Sequence, residues 1–91
     1  MVRRRKARPN NRAVPTLHRE RGYVFRFRAI DRGVPPHIHV RGNRGAAKLW
    51  LFPHVRVAQR RRYTAVQINE IVRITERKQD EFLAAWRRFF A

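Results

Sequence analysis

A change of hydrophobic period partway along the chain constrains the fold more than any other feature. Before residue 58 apolar and polar residues alternate in short runs; after residue 64 apolar residues recur every third or fourth position. Tyr23, Phe25 and Phe27 alternate with Val24, Arg26 and Arg28, which predicts a strand with one aromatic and one basic face. Asp31-Arg32-Gly33 and Pro35-Pro36 carry turn chemistry. His37-Ile38-His39-Val40 alternates again, and because proline donates no ladder hydrogen bond this strand starts after Pro36 or lies at an edge. The segment from Arg41 to Gly45 suits a hairpin connection. Residues Ala46 to Phe52 form the next strand, with Lys48, Trp50 and Phe52 on one face and Leu49 and Leu51 on the other; Pro53 ends it. Val55 and Val57 make a short fourth strand or an irregular edge.

Thr64 followed by Gln67 is a capping box, the start signal of a helix. Ile68, Ile71, Val72 and Thr75, then Phe82, Leu83, Trp86, Phe89 and Phe90, continue at helical spacing. Neither glycine nor proline occurs between Thr64 and Ala91, which favours one long or mildly kinked helix over a break near Lys78. Strands followed by a helix predict an α+β fold: a small antiparallel sheet of three or four strands with a long C-terminal helix packed on one face. Residues 1–22 carry few apolar side chains and read as a basic, flexible N-terminal arm; residues 23–91 read as a single compact domain.

The charge narrows the function. Lysine and arginine number 23 against six acids, a formal net charge of +17 in 91 residues. Such an excess attracts polyanions, and arginine's planar fork grips phosphate and stacks on bases. The expected partner is nucleic acid, RNA favoured over DNA. Phosphate contacts are expected from Arg3, Arg4, Arg5 and Lys6, from Arg26 and Arg28, and from Arg60, Arg61 and Arg62, with Trp50 as a base-stacking residue beside Lys48. A hydrophobic share of 43% distinguishes the chain from a disordered polycation. With no cysteine and no serine, thiol and serine nucleophiles, disulfides and cysteine zinc fingers are excluded. No apolar run is long enough to span a membrane, and no apolar segment follows the basic N-terminus, so a cytoplasmic location without a membrane partner is expected. No phosphate-binding glycine loop or zinc-protease helix motif occurs, and no cofactor is expected.

His37 and His39 are two apart and share a strand face, opposite Ile38 and Val40, which predicts that both point to solvent. The plainest reading is two polar residues on an open face. A second is a divalent metal pair, which needs a third ligand such as His54 or Asp31. A third is the acid–base pair of an endoribonuclease, with Lys48 or a nearby arginine balancing charge on the phosphorane. Trp86, Phe89 and Phe90 are core candidates, yet three large aromatics so close together exceed what one sheet face covers, which points to a homodimer or partner contact.

Val14-Pro15-Thr16-Leu17, Gly22-Tyr23, Pro35-Pro36-His37-Ile38-His39-Val40, Ala47-Lys48, Trp50-Leu51 and the late Trp86 together resemble a family of small bacterial proteins catalogued as domain of unknown function 4160. The resemblance covers roughly residues 14–91, and the Pro-Pro-His-x-His-Val run is its most specific element. It implies a component of a toxin–antitoxin-like gene pair, hence an RNA-directed toxin or a module that binds a cognate small antitoxin-like protein. It marks His37, His39, Lys48 and Trp50 as signature positions and brings no catalytic role with them. The strong basicity and the N-terminal extension depart from the family pattern.

Overall fold

The computed structural model describes residues 16–28 and 33–91. The fold class is α+β, as the change of period predicts, but with five strands rather than three or four and two helices rather than one. The strands are β1 (Thr16–Glu20), β2 (Tyr23–Arg26), β3 (His37–Gly42), β4 (Gly45–Trp50) and β5 (Arg56–Arg61), followed by α1 (Ala65–Arg77) and α2 (Gln79–Phe89). They form one antiparallel sheet in sequence order, β1-β2-β3-β4-β5.

β1 is unexpected; β5 takes up the fourth strand offered at Val55 and Val57, shifted to Arg56–Arg61, and both are edges. β1 lies inside the stretch expected to be arm, so the ordered chain starts at least as early as Thr16; residues 1–15 lie outside the described residues. Having a neighbour on one side only, it half-buries Leu17, His18 and Glu20 while Thr16 and Arg19 are exposed. β5 includes Arg60 and Arg61 and exposes nearly every side chain. Charged edges of this kind discourage pairing with a second sheet.

The alternation in β2, β3 and β4 decides which face is covered. Tyr23, Phe25, Phe27, Ile38, Val40, Leu49 and Leu51 are almost fully buried. Against them pack Ile68, Ile71 and Ile74 of α1 and Phe82, Leu83 and Trp86 of α2. Phe25 stacks on Phe82 at 5.8 Å, and Trp86 meets Phe27 edge-on at 5.0 Å. Each such side chain contributes roughly 1.5–3 kcal/mol when buried. Trp86 is therefore a core residue, while Phe89 stays 38% exposed.

The capping box at Thr64 forms in full: Gln67 N–H donates to the Thr64 hydroxyl at 3.1 Å and Thr64 N–H to the Gln67 side chain at 2.9 Å. The single long helix does not form, because α1 ends at Arg77 and Lys78 leaves helical geometry. No glycine or proline causes the break; tertiary contacts do. The Gln79 amide donates to the carbonyls of Leu51 (2.7 Å) and Pro53 (3.2 Å), pinning the start of α2 to the end of β4. The Thr75 hydroxyl donates back to the Ile71 carbonyl at 2.7 Å, a bond that bends helices. Polar tethers fix α1 to the sheet: Tyr23 donates to Glu70 at 2.9 Å, and Glu20 accepts from both His18 and Arg77.

Candidate functional site

The helices cover one sheet face and leave the other open. Register builds this face. Arg26 pairs with His39, His39 with Lys48 and Lys48 with Gln59, forming one rung of polar side chains across four strands. The neighbouring rung runs Val24, Arg41, Ala46, Arg61. A shallow depression of about 650 Å³ lies over them, bordered by Arg26, Arg28, His39, Arg41, Lys48, Gln59, Arg60 and Arg61. A second, of about 310 Å³, adjoins it at the β3–β4 hairpin and shares Arg41, Ala46 and Arg61, adding Arg44 and Arg62 with Gly42 and Gly45.

No carboxylate is among the residues lining either depression. Among the described residues the acids sit elsewhere: Glu20 on β1, Glu70 and Glu76 on α1, Asp80 and Glu81 on α2. Asp31 lies outside the described residues. With these acids on the helical side and at the β1 edge, the described residues of the open face carry basic charge alone, an arrangement that focuses a positive potential over a concave surface.

At the other end of the face Trp50 is half-buried, with the Lys48 ammonium 4.7 Å from its ring centroid. A lysine over an indole is a cation–π contact, and it holds the lysine stem along the face. Leu49 and Leu51 point into the core, which settles a register that alternation alone leaves open. His37 corrects an expectation. It shares a face with His39, with ring centroids 4.9 Å apart, but it is only 1% exposed. Trp50 at 5.7 Å and Trp86 at 5.2 Å enclose it. Its Nδ1 lies 3.0 Å from the Pro35 carbonyl oxygen; a carbonyl only accepts, so Nδ1 carries the proton. That bond and the aromatic walls fix the ring as a structural post between Pro35 and the sheet. His39 remains half-exposed beside Lys48.

Among the described residues no group of three or more His, Cys, Asp or Glu is placed to hold a metal ion. His54 is exposed in the loop after β4. Of the residues expected to meet nucleic acid, Arg26, Arg28, Trp50, Arg60, Arg61 and Arg62 gather on or beside the open face, with the catalytic candidate Lys48 beside them; Arg3, Arg4, Arg5 and Lys6 lie outside the described residues. The sequence reading missed Arg41, Arg44 and Gln59. Arg41 was findable, since it follows His39 by two positions in the same strand. Arg44 had a signal too: it occupies the second turn position after Asn43, where glycine is usual. Gln59 required the pairing of β5 to be known.

Tyr63 supports the hairpin from beneath. Its hydroxyl donates to the Gly42 carbonyl at 2.7 Å, and burial pushes its phenol pKa up against the opposing pull of Arg41. Its ring lies so close to Gly45 that a Cβ there would sit 2.5 Å from it.

A five-stranded antiparallel sheet with helices on one face and, among the described residues, an acid-free basic surface on the other defines a small α+β protein with an open cationic platform. The chain belongs to the family described as Domain of unknown function (DUF4160), whose model matches residues 22–87. No curated protein and no solved structure matches it.

Proposed function

We propose that this protein binds RNA on the open sheet face, acting in the cytoplasm as the RNA-facing member of a toxin–antitoxin-like pair. The observation that carries the reading is that every permanently charged residue lining the two adjoining depressions is basic, with every acid of the described residues placed elsewhere. Arginines spread over adjacent strands offer separate forks to successive phosphates of a chain, and the larger depression is too open to enclose a compact metabolite. Trp50 and Lys48 at one end add a stacking surface. Binding of this kind is governed by phosphate contacts and discriminates weakly between sequences.

The test is fluorescence anisotropy with a short single-stranded RNA over a salt series. The larger depression is lined by six side chains with permanent charge: Arg26, Arg28, Arg41, Lys48, Arg60 and Arg61. If all six meet phosphates, the slope of log K against log salt is about −4, and affinity falls roughly 300-fold between about 50 and 200 mM. Absent binding at the lower salt, or binding that salt leaves unchanged, overturns the reading. The same samples are run for cleavage, alongside His37→Ala and His39→Ala. Intact RNA is expected in every lane, because His37 is enclosed and bonded to Pro35. Cleavage that disappears in His39→Ala while binding persists would replace this reading with an endoribonuclease using His39 and Lys48.

A further inference from the structure

The smaller depression differs in kind from the larger. Arg41, Arg44, Arg61 and Arg62 line it, and its remaining lining is Gly42, Gly45 and Ala46, so every side chain there larger than a methyl group is an arginine. Two of the four occupy backbone conformations that arginine rarely adopts: Arg44 at φ 67° and Arg62 at φ 63°. The first hairpin of the sheet provides the contrast. There the turn is Arg21 at φ 54° and Gly22 at φ 86°, with glycine at the second position, and the Arg21 guanidinium lies 3.9 Å from Glu70. In the second hairpin Asn43 takes the first position at φ 49° and arginine stands where glycine stood. The two-residue hairpin turn requires the positive φ at residue 44, and an arginine there, lining a depression with three others, is a local cost of the kind that gathers at ligand sites.

The ligand this geometry suits is compact and carries more than one charge. An internal RNA phosphodiester bears one negative charge. A terminal phosphate monoester bears about −1.5 to −2 at neutral pH and offers three acceptor oxygens to guanidinium forks. The place fits as well: the depression adjoins the larger one through Arg41, Ala46 and Arg61, and it lies at the hairpin end, where a strand tracking along the face runs off the sheet. We propose that the Arg41–Arg44–Arg61–Arg62 cluster holds the terminal phosphate of a single-stranded RNA lying on the open face. This rests on the RNA-binding reading and names the end of the molecule that the protein engages.

The experiment compares one single-stranded RNA in three forms: hydroxyl at both ends, 5′-phosphate, and 3′-phosphate. Binding is measured by anisotropy for the wild type, Arg44→Gly, Arg62→Gly and the double variant. Glycine suits both backbone positions, so these variants keep the fold, which thermal melts by circular dichroism verify. One phosphorylated form is expected to bind about tenfold tighter or better, as charge-assisted bonds to a dianion imply, and the double variant is expected to abolish that preference. Which end is preferred identifies the polarity of the bound strand. Equal binding of all three forms by the wild type, or a double variant that weakens all three equally, overturns the terminal-phosphate site and leaves RNA binding intact. Failure of all three to bind overturns both.

Discussion

Gly42→Ala separates a steric effect from a conformational one, and the geometry supplies its size. Gly42 has φ 119°, and a Cβ added there would lie 2.1 Å from the Gly22 carbonyl oxygen and 3.3 Å from Tyr23 Cα. Both neighbours are backbone, so no side chain can swing away; the start of β2 and the start of the β3–β4 turn must part by more than an ångström. The nearest paired residues are Val24 and Arg41. Left-handed or mirror-region backbone costs a residue with a side chain about 1–3 kcal/mol. Loosening one ladder hydrogen bond in a half-buried sheet adds about 1–3 kcal/mol. Their sum is about 4 kcal/mol, against a stability of about 5–14 kcal/mol for a chain of this length. Gly33→Ala is the control: Gly33 has φ 90°, but its added Cβ meets nothing within 4 Å, so only the backbone part, about 2 kcal/mol, applies. Urea unfolding followed by far-UV circular dichroism gives both values if the two variants keep the wild-type m-value. A Gly42→Ala cost within about 0.5 kcal/mol of Gly33→Ala refutes the close approach of the two hairpins, because conformational cost alone predicts that equality.

Three further outcomes are expected. Thr64→Ala removes one half of the capping box and should lower stability by about 1 kcal/mol in the same urea assay. Burial first, and then the Glu70 carboxylate, push the Tyr23 phenol up to about 12, so folding favours its neutral form. That contribution is complete below pH 10 and is lost between pH 10 and 12, at most about 3 kcal/mol, and Tyr23→Phe should flatten this part of a stability–pH curve. The His18 and Arg77 hydrogen bonds hold the Glu20 carboxyl below its usual 4.5, so its contribution is present above that pH and fades as pH falls through the lowered value; Glu20→Gln should shallow the acid limb of the same curve.

The fold was legible where side chains carry a face. Alternation at Tyr23–Phe27 and His37–Val40 identified central strands, because those residues are buried on one side only. The two edge strands left little trace. In Thr16–Glu20 and Arg56–Arg61 most residues are polar, and backbone pairing with a neighbour, rather than side-chain burial, holds them in the sheet. The interruption at Lys78 was illegible for a different reason: it comes from Gln79 reaching the carbonyls of Leu51 and Pro53, distant in sequence. At the site, alternation correctly placed His37 and His39 together, but it carries no information about Trp86, whose ring closes over His37 from the helical layer. The arginines of the open face were visible as charge and not as a group, since Arg26, Arg41 and Arg61 meet only through the register of β2, β3, β4 and β5.

The central claim is that charge acts from a particular face and not merely through its total. Two variants with the same loss of three charges test it. Arg41→Gln/Lys48→Gln/Arg61→Gln removes them from the open face. Arg73→Gln/Arg87→Gln/Arg88→Gln removes them from exposed positions on α1 and α2. The measurement is the salt slope of RNA binding for each. The face variant should lose about 2 from the slope, three contacts at about 0.7 each, while the helix variant keeps the wild-type slope. Equal slopes and equal affinities for the two variants would contradict the account and make the binding a property of the chain's net charge.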